Sequence, residues 1–325
     1  MPDSSLLIGD IGGTNARFAL AHHGEPGFND VITLQCGDYE SADQAMRHYL
    51  DTIQAGPVGA ICLAVAGPVV DQRVRFTNNH WQIAGDELCR DFSIDAVRLL
   101  NDFEAIACSI PFLTTADCLQ IGAPKPIPLD GEQFKIGIIG PGTGLGEAGL
   151  KKVGDTMVPI PGEGSHGGFA PETQVQIDLL NVLRERFDRV STERLVSGPG
   201  IENVYRALTR IRGEKRTSLS AAEIFDAAIA DSDEIAAEAA HLFFEILGQE
   251  AGNLALTIGA TDGVYLAGGI AQRYPDFLKS SRFRSAFESK GRYRSLMERI
   301  PTQLILHDQP GLLGAAYCVL ELIRN

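Results

Sequence analysis

Leu6-Leu7-Ile8-Gly9-Asp10-Ile11-Gly12-Gly13-Thr14-Asn15-Ala16-Arg17-Phe18-Ala19-Leu20-Ala21 sets a glycine turn between two apolar runs. Residues 6–10 read as a buried strand and 17–21 as the strand that returns. Reversing the chain needs one glycine. Two glycines followed by Thr14-Asn15 suit a loop whose backbone amides approach an anion, because glycine permits close contact and positive φ. Thr14 adds a hydroxyl for a phosphate oxygen, and Asp10 is placed to hold a Mg²⁺ ion through water. The plainer alternative is a hairpin with Asp10 as a turn residue.

The pattern returns about 129 positions later, in Ile138-Ile139-Gly140-Pro141-Gly142-Thr143-Gly144-Leu145-Gly146. Residues 6–10, 17–21 and 31–34 form one set of three short strands; 135–139, 147–153 and 157–160 form the other. Strand, glycine turn, threonine and strand occur in both sets, which suggests two similar α/β cores. Four glycines in seven residues carry an entropic cost, so Gly142, Thr143 and Gly144 read as a second phosphate clamp rather than a flexible turn. Gly144-Leu145-Gly146-Glu147-Ala148-Gly149 also fits the dinucleotide pattern, with Glu163 at about the right distance, but that pattern needs a following helix and Gly154-Asp155 interrupts. Gly268-Gly269, after the apolar run 264–267, is a third candidate, able to let an adenine lie against backbone or to serve as a plain turn. No lysine follows a glycine, so there is no Walker A loop.

Elsewhere, 41–53, 86–92 and 103–110 read as helices and 60–64 and 97–100 as buried strands. Residues 69–77 read as a hairpin with Asp71 at its turn, and 121–128, with three prolines, as a connector. The pattern from 173 to 257 is helical, clearest over 234–257; 264–267 and 303–306 are strands, and a last helix runs from about Gly311 to Ile323. At 325 residues the chain predicts about two domains. Glycine, 35 residues or about 11% against a usual ~7%, is the compositional outlier and falls in the loops above. With 28 Lys+Arg against 42 Asp+Glu, the net charge of −14 and the lack of a basic block argue against nucleic acid and anionic membranes as partners. The six cysteines have no Cys-x-x-Cys spacing and read as buried, reduced thiols. With no basic region in Met1-Pro2-Asp3-Ser4-Ser5 and no apolar stretch long enough to span a bilayer, the expected setting is cytoplasmic.

Two polar groups remain. Asn101-Asp102 ends the strand 97–100, where active sites of α/β sheets form; Asp102 has the alternative of capping the following helix. Pro161-Gly162-Glu163-Gly164-Ser165-His166-Gly167-Gly168-Phe169 frames Glu163 and His166 with glycines, and Glu193 precedes Ser197-Gly198-Pro199-Gly200. His166 alone would be a surface loop histidine and Glu193 a solvated helix residue. Together, carboxylates, an amide and an imidazole suit the hydroxyls of a sugar, since a site that satisfies each hydroxyl rejects analogues that leave buried groups unpaired.

These stretches, with the tail Pro310-Gly311-Leu312-Leu313-Gly314, closely resemble the bacterial glucokinase family, in order and over nearly the whole chain. The resemblance implies a two-domain, ribonuclease-H-like fold of the hexokinase/actin type, with a cleft between a small α/β domain (1–110, rejoined by a helix over 311–325) and a larger α+β domain (111–310). It implies transfer of a phosphoryl group from Mg-ATP to the 6-hydroxyl of glucose in a cytoplasmic homodimer. By motif, Asp102 is the expected catalytic base; Asn101, Glu163, His166 and Glu193 the sugar contacts, with Asn78 bordering the sugar; Gly9, Asp10, Ile11, Gly12, Gly13 and Thr14 the loop at the transferred phosphate; and Gly142, Thr143, Gly144, Gly268 and Gly269 the rest of the nucleotide site. A related branch carries a zinc-binding cysteine cluster after the sugar-binding histidine. Here Gly167-Gly168-Phe169-Ala170-Pro171 follows His166, which points to the zinc-free branch.

Overall fold

The computed structural model describes residues 4–76 and 79–324. The chain divides into two compact units, Met1–Thr114 with His307–Asn325, and Thr115–Leu306.

The first unit is built on the sheet β3-β2-β1-β4-β7. Strands β1 (Ser5–Ile11), β2 (Asn15–Ala21) and β3 (Phe28–Gln35) form an antiparallel meander; β4 (Val58–Val65) and β7 (Val97–Asn101) extend it in parallel from β1. The inner strands are apolar because both faces are covered: Leu7, Ile8, Ile61, Cys62 and Leu63 are buried. Helix α1 (Ala42–Thr52) buries Ala42, Ala45, Met46 and Tyr49, one face at helical spacing. Helices α2 (Gly85–Phe92) and α3 (Asp102–Ser109) flank β7 in sequence. The expected hairpin over 69–77 is only partly formed. Its tip is present, with Asp71 and Gln72 at φ 49° and 55° and Val70 bridged to Arg73. The lasting partner of β5 (Arg73–Arg75) is β6 (Gln82–Ala84), which periodicity did not mark. Pro68 lacks an N–H, so the incoming arm cannot extend the ladder.

The second unit repeats the plan as β11-β10-β9-β12-β13-β8. Strands β9 (Gln133–Pro141), β10 (Leu145–Val153) and β11 (Thr156–Gly162) form the meander, and β12 (Gly263–Leu266) and β13 (Thr302–Ile305) run parallel to β9. An added edge strand, β8 (Cys118–Ile121), pairs antiparallel with β13, so the segment 121–128 read as a connector begins on a strand residue. Helices α4 (Gln174–Arg184), α5 (Gly198–Ile211), α6 (Ala221–Ile229) and α7 (Glu234–Ile258) form the helical half. Their starts are locally encoded. Ser197 accepts from Gly200 N, Ser220 and Glu223 form a capping box, and Asp233 accepts from Ile235 N and Ala236 N. Short helices α8 (Gly269–Arg273), α9 (Pro275–Ser280), α10 (Phe283–Glu288) and α11 (Arg294–Met297) complete the unit. The last helix, α12 (Pro310–Arg324), rejoins the first unit and packs on α3, β4 and β1.

Among the described residues no helix is long and apolar enough to cross a membrane. All six cysteines are free thiols; Cys36, Cys62, Cys108 and Cys318 are buried, while Cys89 and Cys118 are half-buried.

Candidate active site

In the first unit the candidate residues gather at the C-terminal ends of the parallel strands. Ile11 of β1 lies beside Val65 of β4, and Val65 beside Asn101 of β7. The glycine loop, the turn at Gly67 and Asn101-Asp102 therefore leave the sheet side by side, the place where open α/β sheets hold their ligands. Gly12 N donates to Asn15 O at 2.9 Å, closing the loop, and Cys36 N donates to Thr14 O at 2.8 Å, tying it to the end of β3. Asp10 and Arg17 are directly opposite on β1 and β2, and Arg17 donates to Asp10 Oδ2 at 3.2 Å. Burial raises the Asp10 carboxyl above its ordinary value, and the Arg17 charge opposes that rise. Gly311, at the start of α12, lies against the Asp10 carboxylate: a Cβ there would stand 3.4 Å from Asp10 Cγ.

The Asn101 side chain accepts from Phe103 N at 2.9 Å and donates to Gly67 O at 3.2 Å, so it caps α3 and ties β7 to the turn after β4. Asp102 Oδ1 accepts from the same Phe103 N at 3.0 Å. Both side chains thus accept from the first turn of α3. Asn78 lies outside the described residues.

In the second unit, Gly142, Thr143 and Gly144 form the hairpin turn between β9 and β10, with Gly142 N donating to Gly144 O at 2.7 Å. Gly198 N, at the start of α5, donates to Gly142 O at 2.8 Å. Gly268 sits at φ +88°, and a Cβ on it would stand 2.5 Å from Pro141 O, so the third glycine pair closes directly onto the second loop. Gly269 starts α8.

Glu193 joins this loop to the sugar candidates. It stands on the single 3₁₀ turn Thr192–Arg194, not on a solvated helix face, and its side chain is 26% exposed. Its Oε2 accepts from Leu145 N at 3.1 Å, and its Oε1 lies 3.9 Å from His166 Nδ1. His166 Nε2 is 3.7 Å from Glu163 Oε2. Glu163, His166 and Glu193 therefore form one row of acceptors and donors, with the first two more than half exposed, beside the second glycine loop. A Cβ on Gly144 would stand 2.6 Å from Glu193 Oε2, so a side chain there would displace that carboxylate.

One residue of this neighbourhood escaped the sequence reading. Glu147 of β10 is buried, and its carboxylate lies under Gly164, with Glu163 and Glu250 of α7 nearby. The available signal was a lone acidic residue in the apolar, glycine-rich stretch 145–150 of β10.

A family model described as glucokinase matches residues 7–322. A glucokinase of Marinobacter nauticus is 42% identical over 311 residues, 95% of each chain. One of Nitrobacter hamburgensis is 41% identical over 317 residues, 97% of each. A crystal structure of a glucokinase from an Antarctic psychrotroph is 34% identical, with a TM-score of 0.88 over 98% of this chain and 99% of that one. A glucokinase of Balamuthia mandrillaris solved in complex with glucose shares the fold, at 21% identity and a TM-score of 0.77 over 98% and 94% of the two chains. With the doubled sheet plan and the paired glycine loops, this agreement along the full length means that the chain belongs to the glucokinase family.

Proposed function

We propose that this protein transfers the γ-phosphoryl group of ATP to the 6-hydroxyl of glucose, giving glucose 6-phosphate and ADP, with Asp102 as general base. The observation that carries the reading is Glu193. One of its oxygens holds a backbone amide of the second glycine loop and the other faces the Glu163–His166 pair, so a hydroxyl-binding row is built onto a phosphate-type loop. Family membership supports the same activity.

Phosphoryl transfer asks a protein mainly for alignment and charge stabilisation. Glu163, His166 and Glu193 orient the sugar through its hydroxyls, with Asn101 as a further contact. Asp102 accepts the 6-hydroxyl proton as the oxygen attacks phosphorus; the bond from phosphorus to the bridging oxygen breaks, and ADP leaves. The loop at Gly12, Gly13 and Thr14 meets the transferred phosphate, with Gly12 N closing the loop onto Asn15 O, and the loop at Gly142, Thr143 and Gly144 meets the other phosphates. A single carboxylate suits Mg²⁺, which keeps most of its waters, and Asp10 with its Arg17 partner fits contact through water. Bound there, the ion would offset phosphate charge. The six free thiols support a cytoplasmic setting.

A coupled assay with Mg-ATP and glucose, mannose, fructose, galactose and N-acetylglucosamine tests the reading. Glucose-dependent ADP release with glucose 6-phosphate formed is the expected result. Binding of glucose without turnover would make the protein a sugar sensor on the same fold, and neither would mean that Glu163 and His166 serve another substrate.

A further inference from the structure

Two glutamates are buried among the described residues. Glu245 is fully engaged, accepting from Gln176 and Arg282. Glu147 is not: it is 5% exposed, and its Oε1 has no hydrogen-bond partner. Its residue pairs across the ladder with Gly162, where the chain leaves β11 for the candidate sugar loop. Its Oε2 packs so tightly under Gly164 that any side chain there would collide with it. The Ser165 hydroxyl on the same loop is also buried without a partner. Two carboxylates add their charge at Glu147: Glu250 on α7 and Glu163 on the loop. Glu250 in turn reaches Thr192 Oγ1 at 3.5 Å, next to Glu193.

A buried carboxylate with an unpaired oxygen and two like charges beside it is poorly stabilised as an anion, whereas its protonated form carries no charge to repel them. We propose that Glu147 in its protonated form is a positioning residue that seats the 163–166 loop for hexose binding, and that its ionisation drives Glu163 away and unseats the loop. Burial, then the Glu250 and Glu163 charges, push its carboxyl up to about 8, so the group changes state just above neutral pH. Glu147 is buried and packs against the loop at Gly164. Its effect therefore falls on KM for glucose more than on kcat. The inference rests on the glucokinase reading of the same loop.

The test is the KM for glucose at saturating Mg-ATP for wild type and Glu147→Gln, which is neutral at every pH. If only the protonated form is competent, the wild-type KM rises about tenfold between about pH 7 and pH 9, while the Gln variant changes by less than about twofold. A purely structural role would weaken the variant equally at all pH values and leave the ratio unchanged. Equal pH dependence in both proteins, or a flat wild-type profile, overturns the proposal. Infrared spectroscopy of the wild type serves if the variant folds poorly. A protonated-carboxyl band at neutral pH that titrates away near pH 8 is expected, and its absence overturns the proposal. Failure of the wild type to bind or turn over glucose at any pH refutes the underlying activity and this inference with it, whereas turnover with a pH-independent KM refutes this inference alone.

Discussion

Asp102 shares its helix-capping contact with a neighbour. From sequence, capping α3 and serving as a base were both open. Asn101 and Asp102 both accept from Phe103 N, so Asn101 keeps a cap on α3 when the Asp102 carboxylate is removed. Asp102→Asn and Asp102→Ala are expected to lower kcat by about 10²–10⁴-fold, the range for a general base. Circular dichroism checks the fold, and near-normal turnover by either folded variant removes the role. Gly144→Ala places a methyl 2.6 Å from Glu193 Oε2 and should raise KM for glucose by displacing that carboxylate, with steady-state kinetics as the check. Glu147 also predicts a stability trend. An acid whose folded pKa is raised binds its proton more tightly in the native state, so stability falls as pH rises from about 4.5 to about 8. Glu147→Gln removes that loss, at most about 5 kcal/mol, and denaturant titrations at several pH values would read it.

At the scale of elements, local chemistry marked what it controls directly. Helix α7 begins where Asp233 offers its carboxylate to two backbone amides and ends at Gly259, at φ +68°. Asp233 also accepts from the Tyr205 hydroxyl at 2.9 Å and pairs with Arg216 at 2.9 Å. Asp233→Ala should therefore cost at least the ~1 kcal/mol of a lost cap, lowering Tm by about 2–4 °C in a thermal melt. The strands β6 and β8 were less legible. Each is only three or four residues long and takes its place from the strand it pairs with, not from its own pattern. The proline-rich stretch after Ile121 hid the end of β8 for the same reason.

For the whole molecule, the repeated strand–glycine–strand signature corresponds to two sheets of one plan, each a meander continued by parallel strands. A binding test belongs at this scale. Glucose without nucleotide at about 100 times its Kd should stabilise the folded protein by about 2.7 kcal/mol, seen as a raised Tm. An ATPase of the actin or chaperone kind, which binds protein and not sugar, would show no such shift.

The sequence by itself determined the two glycine hairpins, the apolar inner strands, the capped helices and the residues that resemble a sugar kinase. Each depends on short-range chemistry: alternation along a strand, φ at a turn, a side chain within reach of a helix start. Only the tertiary structure decided that Gly268 closes on Pro141, that Glu193 joins the second glycine loop to His166, and that Glu147 lies buried under Gly164. Those relations bring together residues 17 to 127 positions apart in the chain, and charge, burial and hydrogen-bond partners at such sites come from residues that sequence spacing does not reveal.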